Sequence, residues 1–214
     1  MLRVNIGCGM APTLGWKNLD NSPSIRLSAF PIFAGFLHKA RLINQAQMDL
    51  IHFCQDHKIV CADATRRIPL PDRSVEVLYS SHMIEHLDRS EARRFLEEAK
   101  RVLVPGGIIR LAVPDIERQV KKYAETGDAD GFVEATHMCV PRPKSFPERL
   151  KALWVGQRHH HWMYDRVSLC KLLTDAEFKE ATSLEPGQSR IPSPAPLNLK
   201  EREDESIYVE ASNS

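Results

Sequence analysis

The sequence predicts an α/β protein: a doubly wound, mostly parallel seven-stranded sheet with helices on both faces. Three observations predict it. Short apolar, β-branched runs recur along the chain and stop at glycine, aspartate or serine, as buried strands do. Helical patterns lie between several of them. Small or polar residues follow the strand ends, namely Gly7–Gly9, Asp20, Asp63, Ser80–His82 and Pro114–Asp115. In a parallel sheet these converge on one edge, where ligands bind near the point at which strand order reverses.

The elements follow in order. Leu2–Ile6 reads as the first strand and Lys17–Asp20 as the second. Ser22-Pro23 is a helix start, because serine can cap free amides and proline suits the first helical position. Residues 28–55 read as one or two helices, Lys58–Ala62 as the third strand and Ser74–Ser80 as the fourth. Ser90–Val104 is an amphipathic helix: Ala92, Phe95, Leu96, Ala99, Val102 and Leu103 share a face, and Pro105-Gly106-Gly107 ends it. Ile108–Val113 is the fifth strand and Ile116–Thr126 a helix. Residues 127–163 are irregular and basic, with Pro141, Pro143 and Pro147. Arg166–Ala176 reads as a helix, Phe178–Leu184 as a strand, 186–198 as a proline-rich loop and Ile207–Ala211 as the last strand. The expected organisation is a single domain over 1–214, with a helical insert at about 24–57 and a substrate loop at about 127–163.

Composition narrows the function. The 214 residues are 43% hydrophobic and 27% charged, with a net charge of +1, so no global field favours nucleic acid. The five cysteines form no C-x-x-C pair and suggest free thiols in a reducing compartment. The chain opens directly on a strand, so no leader is expected and the expected location is cytoplasmic. The longest apolar stretch, Ala29–Leu37, holds Pro31 and Gly35 and falls short of the roughly 20 residues a membrane span needs.

Gly7 and Gly9 allow a tight turn and close approach of backbone to ligand. The third glycine of a dinucleotide fingerprint is replaced by Pro12, which counts against a nicotinamide or flavin enzyme. Asp20 can accept from the two hydroxyls of a ribose, or cap the helix start at Ser22. Asp63 can accept from an adenine amino group, or cap its own loop.

Residues 61–115, "CADATRRIPLPDRSVEVLYSSHMIEHLDRSEARRFLEEAKRVLVPGGIIRLAVPD", resemble the core of the class I S-adenosylmethionine-dependent methyltransferases. Asp63, Ile68-Pro69-Leu70-Pro71, Glu85-His86-Leu87 and Arg101–Gly107 match that family's order and spacing. Asn5–Gly9 resembles its first motif, with Asn5 where an acid is commoner, and "LDNSP" resembles its second-strand end. "YDRVSLCKLLTDAEF" resembles the helix before the sixth strand. The resemblance covers about residues 2–23, 58–124 and 160–211. It implies the Rossmann-like methyltransferase fold with an antiparallel last strand, and S-adenosyl-L-methionine as cofactor. The cofactor-binding residues it implies are Asn5, Gly7, Cys8, Gly9, Asp20, Asp63, Ala64, Ser80 and Ser81.

Only ten residues separate Gly9 from Asp20, near the lower limit for a parallel crossover, so at most one or two helical turns are expected there. The insert "IRLSAFPIFAGFLHKARL" either packs in place of the missing helix, forms a lid, or meets a membrane through residues 24–40.

Methyl transfer needs a base only if the acceptor must lose a proton. His82 is the candidate base, or a structural loop histidine; Glu85 and His86 read mainly as structural. In "RHHHWMYD" (158–165), consecutive histidines point different ways, so no metal is expected unless folding brings His137 and Cys139 to them; one of these histidines, or Tyr164, is expected to line the acceptor pocket. The basic excess over 142–166 suits an anionic acceptor, or is a solvated loop; the acidic run 201–205 reads as solvated.

The expected function is an S-adenosylmethionine-dependent methyltransferase acting on a small, anionic or sugar-like acceptor, without a nucleic-acid partner. Relatives with this short connection suggest polysaccharide biosynthesis by analogy. The alternative is a non-catalytic binding module with a weakened cofactor pocket. A nicotinamide oxidoreductase is the third option.

Overall fold

The computed structural model describes residues 2–139 and 159–214. The expected sheet is present. Its strands are β1 (Leu2–Ile6), β2 (Lys17–Asp20), β3 (Val60–Cys61), β4 (Val75–Ser81), β5 (Leu103–Pro114), β6 (Lys179–Leu184) and β7 (Ser206–Ser212), in the order β3-β2-β1-β4-β5-β7-β6. The pairs from β3 to β5 are parallel, and β7 runs antiparallel to both β5 and β6. Strand order reverses between β1 and β4, which places the ends of these two strands at the ligand-binding edge.

One face of the sheet is covered by α4 (Arg89–Val102) and α7 (Arg166–Asp175). Val4, Ile6, Leu78, Ile109 and Leu111 meet Phe95, Leu96 and Val102 of α4 and Leu169, Leu172 and Leu173 of α7. Helix α4 begins one residue before the predicted Ser90, after a reciprocal cap. Asp88 accepts from the Ser90 and Glu91 amides, and the Glu91 side chain accepts from the Asp88 amide. Its apolar stripe then buries Phe95 and Leu96 completely, each worth about 1.5–3 kcal/mol.

The centre of the other face is covered differently. Trp16, from the β1–β2 connection, and Ile191 and Leu197, from the proline-rich loop, pack on Val77, Tyr79, Ala112 and Tyr208. The β1–β2 connection contains no helix. Instead the Asn18 side chain accepts from the Thr13 amide at 2.8 Å and donates to the Thr13 and Trp16 carbonyls. One amide side chain thus satisfies a loop that a helix would otherwise satisfy internally.

Helices α1 (Pro23–Ser28), α2 (Pro31–Lys39) and α3 (Gln45–Asp56) form the insert. It packs against the glycine turn: Cys8 lies with Ile25, Cys54 and Ile59 in one buried cluster. Helix α2 buries only Ala34 and leaves Ile32, Phe33 and Phe36 exposed. Among the described residues no helix is long and apolar enough to cross a membrane.

Three expectations need adjustment. Helix α4 ends at Val102 and β5 begins at Leu103, so Pro105-Gly106-Gly107 lies within the strand rather than ending the helix. The third strand is shorter than predicted. The start of the segment predicted to be irregular forms α6 (Ala129–Ala135), which follows α5 (Ile116–Thr126). Most of the basic cluster over 142–166, from Arg142 to Arg158, lies outside the described residues.

Candidate active site

At the end of β1 the chain turns through Gly7 and Gly9, with φ of 72° and 50°. A Cβ at Gly7 would stand 2.6 Å from Met83 Cγ, whereas a Cβ at Gly9 would meet nothing within 4 Å. Gly7 is therefore required by packing, and Gly9 faces open space. Asp20, at the end of β2, closes the turn: its Oδ2 accepts from the Gly9 amide at 2.9 Å and its Oδ1 from the Ser22 amide at 2.7 Å. Both carboxylate oxygens thus accept from backbone amides, one of them at the expected helix start at Ser22, and each oxygen can still accept a further bond, as from a ribose hydroxyl. Asp63 accepts from the amide and hydroxyl of Thr65 and lies 3.3 Å from Arg66 Nε. Ala64 beside it is buried.

Among the described residues, three of the buried polar side-chain atoms without partners lie where strand order reverses. Asn5 donates through Nδ2 to the Ala11 carbonyl and to Thr13 Oγ1, but its Oδ1 accepts nothing. The Ser80 and Ser81 hydroxyls, at the end of β4, are also buried and unpartnered. Buried polar groups are ordinarily satisfied, so orphaned atoms on adjacent strands at this edge mark a place for a polar ligand. A groove of about 410 Å³ between α4 and α7, lined by Arg89, Arg93, Lys100 and Glu177, includes none of these residues.

The profile of the methyltransferase domain matches residues 4–111, just over half of the chain. The chain belongs to the methyltransferase-domain family. Three similar solved structures agree in fold. A methyltransferase of Thermotoga maritima, described as S-adenosylmethionine-dependent and a possible histamine N-methyltransferase, has 17% identity and a TM-score of 0.53, covering 100% of this chain and 82% of its own. S-adenosylmethionine-dependent methyltransferases of Archaeoglobus fulgidus and Methanosarcina mazei each have 15% identity and a TM-score of 0.51. They cover 99% and 98% of this chain, and 86% and 91% of their own. Among curated proteins no relative matches by sequence.

As a class I methyltransferase, the protein takes S-adenosyl-L-methionine as methyl donor. When bound, this cofactor supplies a methyl group already activated on a sulfonium. The strand-end residues fit it: Gly9 opens onto free space, Asn5 Oδ1 and the two serine hydroxyls are unsatisfied, and the Asp20 carboxylate stands beside the glycine turn. Cys8 lies under the turn, and burial, with Asp20 and Cys54 nearby, pushes its thiol up to about 12.

His82 follows β4 with φ of 48°, and its amide donates to the Ala112 carbonyl at 2.9 Å. The Arg202 guanidinium, which only donates, lies 3.1 Å from Nδ1, so Nδ1 accepts. Nε2 then carries the hydrogen and donates to Ser206 Oγ at 2.8 Å. Burial, with Arg202, His160 and His86 adding positive charge, lowers its pKa to about 3. A base role for His82 would require Arg202 to release this lone pair. The acidic run is correspondingly not merely solvated: Arg202 holds His82, and Glu201 accepts from the Tyr79 hydroxyl at 2.9 Å.

Tyr164 is fully buried in the core on the α4 side, and burial raises its pKa while Arg89 opposes the rise. Its carbonyl accepts from the Ile116 amide at 3.0 Å. The histidine run instead meets the turn Ile84–His86: the His161 and Trp162 amides donate to the Glu85 carbonyl at 2.8 and 3.1 Å. Glu85 is only 1% exposed, and burial pushes its carboxyl up to about 8. Reading the sequence locally missed this association, because Glu85 and His86 belong to the family-like segment while the histidines lie in a different one.

Proposed function

We propose that this methyltransferase transfers a methyl group to a small acceptor bearing an anionic or sugar-like group, within a single domain spanning the chain. The observation that carries the transferase reading is the set of orphaned buried atoms on β1 and β4, Asn5 Oδ1, Ser80 Oγ and Ser81 Oγ, beside the glycine turn. Asn5, Gly7, Cys8, Gly9, Asp20, Asp63, Ala64, Ser80 and Ser81 would form the cofactor side. The donor is already activated, so the protein's contribution is chiefly positioning. Support for an anionic group comes from Arg202 and Arg118 at the same edge, and from the basic residues of 142–166 in the sequence. A cytoplasmic place and a role in polysaccharide biosynthesis belong to this proposal by analogy alone.

A second reading, a binding module with a weakened pocket, is favoured by Asp20, both of whose carboxylate oxygens are engaged within the chain. Calorimetry with S-adenosylmethionine separates the two. Micromolar binding, weakened about tenfold or more by Asp20→Ala, supports the transferase; no binding by the folded protein supports the module. Radiolabelled methyl transfer to a panel of sugar nucleotides, carboxylates and amines then tests the acceptor class. Transfer to amines alone would overturn the anionic or sugar-like assignment.

A further inference from the structure

Glu85, His86 and His160 form a constellation that the cofactor site does not use. Among the described residues, neither carboxylate oxygen of Glu85 has a hydrogen-bond partner, although the side chain is almost completely buried. A buried carboxylate is ordinarily paired, hydrogen-bonded or metal-bound. The charged and titratable groups around it are His82, whose Nδ1 lies 3.5 Å from Glu85 Oε1, together with Arg202 and Glu205. His82 offers it no positive charge while its Nδ1 accepts from Arg202.

One ligand atom each from Glu85, His86 and His160 lies within 4.8 Å of the others, and Glu85 and His160 are buried. Around a tetrahedral ion with bonds of about 2.1 Å, ligand atoms stand about 3.4 Å apart. The side chains would have to close that difference on binding the ion. The backbone is already fixed, with the His161 and Trp162 amides on the Glu85 carbonyl and the His160 amide on the His137 carbonyl at 2.9 Å.

The surroundings also suit metal ligation. His86 Nδ1 lies 3.0 Å from the His159 carbonyl. A carbonyl only accepts, so Nδ1 carries the hydrogen and the lone pair is on Nε2. Metal-binding histidines are typically oriented by such a carbonyl on the opposite nitrogen. His160 Nδ1 lies 3.3 Å from Met163 Sδ, a weak acceptor, which suits the same tautomer with the lone pair on Nε2.

We propose that Glu85, His86 and His160 form a binding site for a divalent transition-metal ion of the zinc type, with an open coordination position. Two imidazoles and one carboxylate match zinc, whereas magnesium and calcium take oxygen ligands. Three protein ligands with a vacant position are the arrangement of catalytic rather than structural zinc. The turn follows β4 directly, so the open position would take an oxygen of the methyl acceptor. Only this last role rests on the methyltransferase reading; the existence of the site does not.

The test uses the full chain, freed of metal by chelator and titrated with Zn²⁺ by calorimetry and with Co²⁺ by visible absorption, without cofactor. Expected are about one equivalent per chain and a tetrahedral-type cobalt spectrum. His160→Ala and Glu85→Gln should each weaken binding about tenfold or more, with folding checked by circular dichroism. The double variant His159→Ala/His161→Ala and the variant His57→Ala should retain it. Absence of binding by wild type overturns the proposal. So does binding that survives His160→Ala and Glu85→Gln, or that is lost in the double variant. S-adenosylmethionine titration of the same samples keeps the two readings apart: cofactor binding without zinc binding overturns the metal site alone, and the reverse overturns the cofactor pocket alone.

Discussion

Arg110 Nη1 and Glu210 Oε1 lie 2.7 Å apart, directly opposite in the β5–β7 register, with neither side chain exposed. Around this pair the proline-rich loop is tied to the sheet. Arg110 donates to the Gln188 and Leu199 carbonyls, and Glu210 accepts from the Ser189 hydroxyl and the Arg190 amide. The loop that replaces helical cover on this face is therefore held by a buried charge pair as well as by Ile191 and Leu197. Removing one member leaves the other charged and buried, at a cost of about 3–5 kcal/mol. Glu210→Ala should lower stability by about that amount in urea denaturation. The double replacement Arg110→Met/Glu210→Leu should cost clearly less than the sum of its singles. Additive losses would show that the pair is not coupled.

The two turn glycines should behave differently, because only one is packed against. Alanine at Gly7 combines a left-handed φ with a collision against Met83, whereas alanine at Gly9 keeps only the backbone penalty. The penalty is about 1 kcal/mol, and overpacking adds about 1–3 kcal/mol. Gly7→Ala should thus reduce the melting temperature more than Gly9→Ala. Gly9→Ala should instead act on S-adenosylmethionine affinity, since its methyl group enters the space above the turn. Calorimetry and thermal melts of both variants check the contrast; equal affinity losses at equal stability would refute it.

The readable parts of this protein are those whose signals are local. Helix α4 announces itself through one apolar face, and the strands through short runs ending at Gly7, Asp20 and Ser80. What replaces the absent first helix was not readable, because Ile191 and Leu197 carry no periodic signal and reach β4 only through the folded sheet. The His82–Arg202 contact spans 120 positions, and no spacing rule connects two such loops. The neighbours of the histidine run were not readable for a related reason. Neighbouring histidines do point apart, but His160 finds its partners on the turn after β4 rather than within its own run.

Helix α2 should tolerate polar substitution on its outer face. Ile32 is 90% exposed, and Phe33 and Phe36 also face outward, while Ala34 is fully buried against Ile43, Met48 and Ile51. Ile32→Ser/Phe36→Ser removes no packing and should change stability by no more than about 0.5 kcal/mol per site. Ala34→Leu forces extra volume into a filled cluster and should cost about 1–3 kcal/mol. Urea denaturation of both variants reads the difference. A large loss from the outer pair would mean that these side chains are covered in solution.

Thiol reactivity tests whether the insert covers the glycine turn. Cys8 and Cys54 are buried together beneath α1 and α3, while Cys61 is exposed at the edge strand. Only the thiolate attacks an alkylating reagent. A thiol raised from 9.0 to about 12 is almost wholly protonated at pH 8, and it gains thiolate only as pH rises toward that value. At pH 8, the exposed Cys61 should therefore react with iodoacetamide well before Cys8, which is slowed both by burial and by its raised pKa. Peptide mapping by mass spectrometry follows each site. Denaturant should abolish the gap by exposing Cys8 and restoring its ordinary pKa. Rapid modification of Cys8 in the native protein would show that the insert stands open over the turn.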